Sequence, residues 1–431
     1  MDQQADASAR IERRITLLFI AAGSVFAFIG TILGALMLAR MSGVTVPFNL
    51  ALFQDHPYLQ IFGFLSEFIF GVGYSIVPLF KSTKLANPRA AYLTFSLITN
   101  ANMIGIFAMA VGRYHLLLFQ VLSFLILLSS VIFCYQLLRI LERPSKILSE
   151  AEPFLSMAAV SFVLISIVFF LDFERPELLS NAANLFSAGF IYLSLAGFAG
   201  SMIFGVELRT VAFRMTNYRK RMAKITAALQ AISIGLSFLS TFRVLSYLGS
   251  VASVTFFLSA LSFAISIRIF EGRKRARVLL PLTEGRPNVA SHNTISNYSD
   301  ACLISSVLWL LFSFFLGVVW QVFGIGSLAI TDSFIHSLAI GFIGSAIIAY
   351  AVALLPGVIS QKAPKKRLSL LPLLFLNAGL LIRNVGNFYS TFSAVSLPFW
   401  ESLSGVLIII AMILLVNNVH FRRTTEQVVV R

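Results

Sequence analysis

HPYLQIFGFLSEFIFGVGYSIVPLF, residues 56–80, is the stretch on which the fold turns. It contains one carboxylate, Glu67, and neither Lys nor Arg. About 20 mostly apolar residues carry a helix across the hydrocarbon core of a bilayer. Backbone groups placed there must bond to one another, which a helix achieves. The stretch therefore reads as a membrane span. Working outward, similar stretches recur between short polar joints, near 15–40, 57–80, 89–112, 114–138, 152–171, 182–207, 222–242, 245–269, 301–324, 333–355, 367–389 and 397–418. The chain has 431 residues, 58% of them hydrophobic and 12% charged, too apolar a balance for a water-soluble domain. The expected fold is an all-α polytopic membrane protein, one domain over residues 1–431 with twelve transmembrane helices.

The net charge of +15 falls in the joints between spans rather than along one face, so membrane topology explains it and a nucleic-acid partner is not expected. With the N-terminus inside, the inner joints collect Arg219-Lys220-Arg221, Arg273-Lys274-Arg275 and Lys365-Lys366-Arg367. Only Arg40, Arg113, Arg175, Arg243 and Arg383 fall outside. This bias predicts a multi-pass protein of the inner (plasma) membrane with both termini cytoplasmic. The polar start runs through Arg13-Arg14 into a full-length apolar stretch, which predicts an uncleaved anchor. Residues 271–299, with Pro281, Gly285 and Pro287, read as a cytoplasmic linker between the eighth and ninth spans. Cys134 and Cys302 lie in apolar contexts and read as small core residues, supplying neither a disulfide framework nor a cysteine metal site.

The second, sixth and tenth spans share a Gly-Phe pair followed by small residues. The sixth reads SAGFIYLSLAGFAGSMIFGVELR (187–209) and the tenth IHSLAIGFIGSAIIAYAVALLP (335–356). A pattern returning every four helices predicts three four-helix units around a pseudo-threefold axis. His56 and His336 stand at the outer ends of the second and tenth spans, at one expected depth. Haem iron takes two axial imidazoles on opposite faces of a flat macrocycle, which facing helices at one depth could supply, with Gly63 and Gly344 giving close approach. A helix-end histidine bonded to loop backbone is the competing reading. His115 reads as interfacial, and His292 and His420 as solvated.

At 100° per residue His56, Gln60, Gly63, Glu67, Phe70 and Tyr74 share one stripe of the second helix, and the ionisable residue on it should face the bundle interior. Glu67 has two readings, a hydrogen bond to a neighbouring helix or proton handling. Arg383, at the histidines' depth, and Arg243, at the end of the seventh span, could pair with haem propionates, or else snorkel to lipid headgroups.

These residues resemble the NnrS family of membrane proteins and, more distantly, subunit I of haem-copper oxidases. The resemblance rests on His56 ahead of Phe62-Gly63-Phe64, on IFGVELR (203–209), on HSLAIGFIGS (336–345) and on NAGLLIR (377–383), four of twelve helices in order. It implies an oxidase-like arrangement, haem b and a role near nitric oxide. Tyr58 replaces an expected second histidine, and Pro356-Gly357 a later Gly-His. The sixth and seventh spans carry no histidine, so copper has no clear ligand set and an oxidoreductase of this kind would lack the conventional binuclear site. The expectation is a haem-binding membrane protein in electron transfer or nitric oxide metabolism. A redox partner would dock on the outer helix ends, guided by Asp55 and Asp332. A secondary transporter and a cofactor-free structural subunit are the alternatives.

Overall fold

The computed structural model describes residues 2–45, 56–110, 116–144, 150–179, 187–214, 218–269, 289–325, 327–358, 369–393 and 399–419. Among them the structure is helical throughout, apart from turns and one isolated bridge, Leu179 to Phe242. In chain order the long helices are α1 (Asp2–Met41), α2 (His56–Phe80), α3 (Pro88–Ala110), α4 (Leu116–Leu141), α5 (Glu152–Glu174) and α6 (Ala188–Thr210). The second half adds α7 (Lys220–Ser240), α8 (Leu248–Ser266), α9 (Val289–Val322), α10 (Leu328–Val352), α11 (Leu371–Ser393) and α12 (Ser402–Val419). Eleven described helices are long and apolar enough to cross a membrane. α11, with 23 residues, has the length but carries Asn377, Arg383, Asn384 and Asn387.

Burial sorts the helices into two shells. Over the apolar stretch of each helix, 78% of α2, 100% of α6 and 61% of α10 is buried, while no other apolar span exceeds 56%. The remaining helices form a ring around these three: α1 packs on α3, α3 on α4, α4 on α5, α5 on α7, α7 on α8 and α8 on α9. Asn377 of α11 accepts hydrogen bonds from Ser305 and Trp309 of α9, and α11 packs on α12, which returns to α1. The outward faces carry Phe107, Leu117, Phe315, Leu374 and Val416, each more than half exposed. An apolar belt of this extent is the surface a bilayer covers, and the protein is a multi-pass helical membrane protein.

Each inner helix contains a π-helical segment, Leu59–Leu65 in α2, Tyr192–Gly200 in α6 and Ser337–Gly344 in α10, and each segment holds a Gly-Phe pair. The wider turn frees backbone carbonyls, which membrane-buried backbone must satisfy. Asn102 of α3 donates to Phe62 O at 2.9 Å, Gln230 of α7 to Ala196 O at 2.9 Å and Ser306 of α9 to Phe342 O at 2.9 Å. The three glycines face the helix that precedes their own. A Cβ on Gly63 would meet Phe26 of α1 at 2.7 Å, one on Gly197 would meet Ser161 of α5 at 3.0 Å, and one on Gly341 would meet Trp309 of α9 at 2.5 Å.

The expected linker is shorter than 271–299. Residues 271–288 lie outside the described residues, and from Val289 the chain is already helical. No Pro or Gly follows Pro287 to stop a helix, so the ninth span starts well before its apolar part. α1 likewise begins at Asp2, ahead of its apolar stretch. Cys134 is half-buried on α4 and Cys302 buried on α9, both as free thiols.

Candidate functional site

His56 and His336 meet. Their ring centroids lie 6.1 Å apart and the ring planes are parallel to within 6°. His56 opens α2 just before the π segment, and its Nδ1 lies 2.7 Å from the carbonyl of Gly30 on α1. Gly34, one turn further along α1, lies so close that a Cβ there would meet the imidazole Cε1 at 2.6 Å. The histidine is thus seated on a Gly-x-x-x-Gly surface of the first helix. His336 lies on α10, where its Nδ1 is 2.9 Å from the carbonyl of Asp332, one turn earlier, and 3.0 Å from the Asp332 carboxylate.

A carbonyl oxygen only accepts, so each Nδ1 carries the proton and donates it. The basic lone pair of a neutral ring then resides on Nε2. Metal-ligating histidines are oriented in this way, by donating the other ring N–H to a carbonyl or carboxylate. Two metal–imidazole bonds of about 2 Å, with each ring centre about 1 Å behind its nitrogen, place trans imidazoles about 6 Å apart. The observed separation matches.

Among the described residues no group of three or more His, Cys, Asp and Glu side chains could hold a metal ion. Two imidazoles fall short of the four ligands that a protein usually gives a structural ion. They suffice for a macrocycle that brings its own in-plane donors. The residues present fit haem in this respect.

Behind His336 stands an ion-pair network. Arg383 of α11 grips Asp332 with both edges of its fork, Nε to Oδ2 and Nη2 to Oδ1, each at 2.7 Å. Asn387, one turn along α11, donates to Asp332 Oδ2 at 2.8 Å and to Ser333 Oγ at 3.0 Å. The Arg383 side chain is 7% exposed and that of His336 12%, so most water is excluded. Glu401, just before α12, is fully buried beside α11, where a Cβ on Gly386 would meet its Oε2 at 2.5 Å. Neither of its carboxylate oxygens has a hydrogen-bond partner among the described residues.

Several expected placements change. Arg383, read from the sequence as a partner for haem propionates or for lipid headgroups, gives its Nε–Nη2 edge to Asp332 and so supports His336. Asp332, expected to guide a docking partner, is committed to the same pair. Arg243 lies exposed on the turn between α7 and α8 and joins none of the contacts around the histidines. Gly63 admits Phe26 rather than a ligand, and Gly344 faces Leu376 of α11, 3.4 Å from where its Cβ would be. Asp55, His115 and His420 lie outside the described residues, as does the side chain of His292.

The polar stripe of α2 is split by its π segment. At its start, Gln60 donates to Thr31 Oγ1 on α1 at 3.2 Å, one turn from His56. Below it, Glu67 accepts from Thr99 of α3 at 2.7 Å, and Tyr74 bonds Thr94 of α3 at 3.0 Å and Gln136 of α4 at 3.1 Å. Glu67 is interior, as expected, but it faces the outer ring. At the level of Glu67 and Tyr74, an apolar pocket opens where α2, α6 and α10 converge with α1, lined by Phe68, Val72, Met202 and Ile347 among others.

The importance of Gly30, Gly34, Asn387 and Glu401 was not drawn from the sequence, although signals existed. Gly30-x-x-x-Gly34 is a small-residue pair at helical spacing, and Glu401 is a carboxylate at the edge of an apolar span. A family model described as "Domain of unknown function (DUF8744)" matches residues 14–421. No curated protein matches the chain.

Proposed function

We propose that this chain, which belongs to the DUF8744 family, is a membrane haem protein in which His56 and His336 would hold a b-type haem. The observation that carries this reading is the pair of parallel imidazoles 6.1 Å apart, each with Nδ1 given to a carbonyl and Nε2 left basic. Bound there, haem supplies one-electron chemistry at its iron. Gly30 and Gly34 seat and orient His56, Asp332 orients His336, and Arg383 with Asn387 holds Asp332. With both axial positions filled by imidazole, the site suits electron transfer better than gas reduction.

The architecture we infer around it has twelve spans in three four-helix units on a pseudo-threefold axis. Support comes from the π segments and glycine contacts that recur on α2, α6 and α10 against α1, α5 and α9. The distribution of Lys and Arg supports cytoplasmic termini and, with them, histidines near the outer face of the plasma membrane. A role in nitric oxide metabolism, as the likeness to NnrS proteins implies, belongs to the same proposal, with a redox protein docking on the outer helix ends.

The test is the visible spectrum of the full-length protein purified in detergent after haem-sufficient expression, oxidised and reduced, with a pyridine haemochrome assay. A low-spin b-type signal lost in His56→Ala and in His336→Ala is the expected outcome. A colourless wild type sinks the haem reading and turns attention to the cavity between α2, α6 and α10 as a transport site.

A further inference from the structure

A carboxylate inside a protein is ordinarily met by hydrogen-bond donors or a cation of its own, since burying an unpaired charge is costly. Among the described residues Glu401 has no hydrogen bond to either oxygen, and it is fully buried. Arg383 of α11 is a cation that acts on Glu401, and its fork is already given to Asp332. The Arg383 guanidinium and the Asp332 carboxylate are also the charges that act on Glu401 from α11 and α10. Arg40, at the end of α1, is exposed. Two carboxylates therefore share one guanidinium, and only one of them is hydrogen-bonded to it.

We propose that Glu401 is a proton-accepting site coupled to electron arrival at the histidine pair. This inference rests on the haem reading above. When an external one-electron donor reduces the centre, one positive charge is lost there, and the Glu401 carboxylate takes one proton from water, forming an O–H bond. When an external one-electron acceptor oxidises the centre again, that bond breaks and the proton returns to water. The coupling runs through charge along the Glu401, Arg383, Asp332 and His336 sequence, with no covalent change at the histidines. Asp332, held by Arg383, Asn387 and the His336 ring, stays a fixed anion, and Glu401 is the member left free to change.

The experiment is a spectroelectrochemical titration of full-length protein in detergent at a series of pH values, for wild type, Glu401→Gln and Glu401→Asp. In wild type the midpoint potential falls as pH rises, because the proton stabilises the reduced state. Glu401→Gln imitates the protonated form, so its potential stays near the wild-type acid limit and loses the slope, while Glu401→Asp keeps it. Reduced-minus-oxidised infrared spectra should show a protonated-carboxyl band present in wild type and absent from Glu401→Gln, a readout that packing alone does not move. Should the glutamine variant fail to fold, the wild-type slope, the infrared band and the aspartate variant still decide. A haem-containing wild type with a pH-independent potential, or a glutamine variant with an unchanged slope, overturns this inference and leaves the haem reading standing. A wild type without haem overturns both.

Discussion

At the scale of single residues, the two histidines differ in what holds them. His56 depends on another helix, through Gly30 O, whereas His336 depends on its own helix and on the Asp332–Arg383 pair. Substituting Arg383 with Leu removes the guanidinium and leaves Asp332 largely buried without its counter-ion. Breaking a buried pair in this way costs about 3 kcal/mol. We expect a lower melting temperature in detergent together with a perturbed haem spectrum, and an unchanged melting temperature would show that the pair carries no stability. On the other side, Gly34→Val drives a side chain into the His56 ring. The expected result is a folded protein with little or no haem, seen as a normal elution profile with a weakened Soret band.

At the scale of helices, the π segments explain which parts of the site could be read from sequence. The apolar spans, the Gly-Phe repeat and the two histidines were legible, because length, composition and spacing survive in a linear string. The stripe on α2 was not, because its reading assumed one angular step per residue from His56 to Tyr74. The extra residue of Leu59–Leu65 turns the upper part of the helix toward α1 and leaves Glu67 and Tyr74 facing α3. The pairing of Arg383 with Asp332 was not legible, since the reach from α11 to α10 is a tertiary fact. Glycines at the segments can be ranked by what stands against them. Gly63→Ala meets Phe26 Cβ at 2.7 Å and costs about 1–3 kcal/mol, the usual range for overpacking. Gly344→Ala meets Leu376 at 3.4 Å, an ordinary contact, and changes little. Thermal unfolding of the two variants side by side checks the difference.

At the scale of the whole molecule, three buried helices are enclosed by a ring whose outward face is apolar. The paired histidines lie at one end of that assembly and the cavity deeper within it. The inferred orientation predicts that a cysteine at position 274, in a background lacking Cys134 and Cys302, reacts with a membrane-impermeant maleimide only in inverted vesicles. A cysteine at position 175 should react only in right-side-out ones, and the reverse pattern would put the histidines on the cytoplasmic side. The ring has a further consequence. α1 is one of its members, with Val25 and Phe28 turned outward where lipid lies, and it supplies the carbonyl that receives the His56 proton. A change in how the first helix leans in the bilayer stretches or relaxes that one bond and so alters how strongly Nε2 would donate to the proposed haem. On that proposal membrane thickness becomes a setting on the site, and lipids of differing chain length should move its potential without touching a residue there.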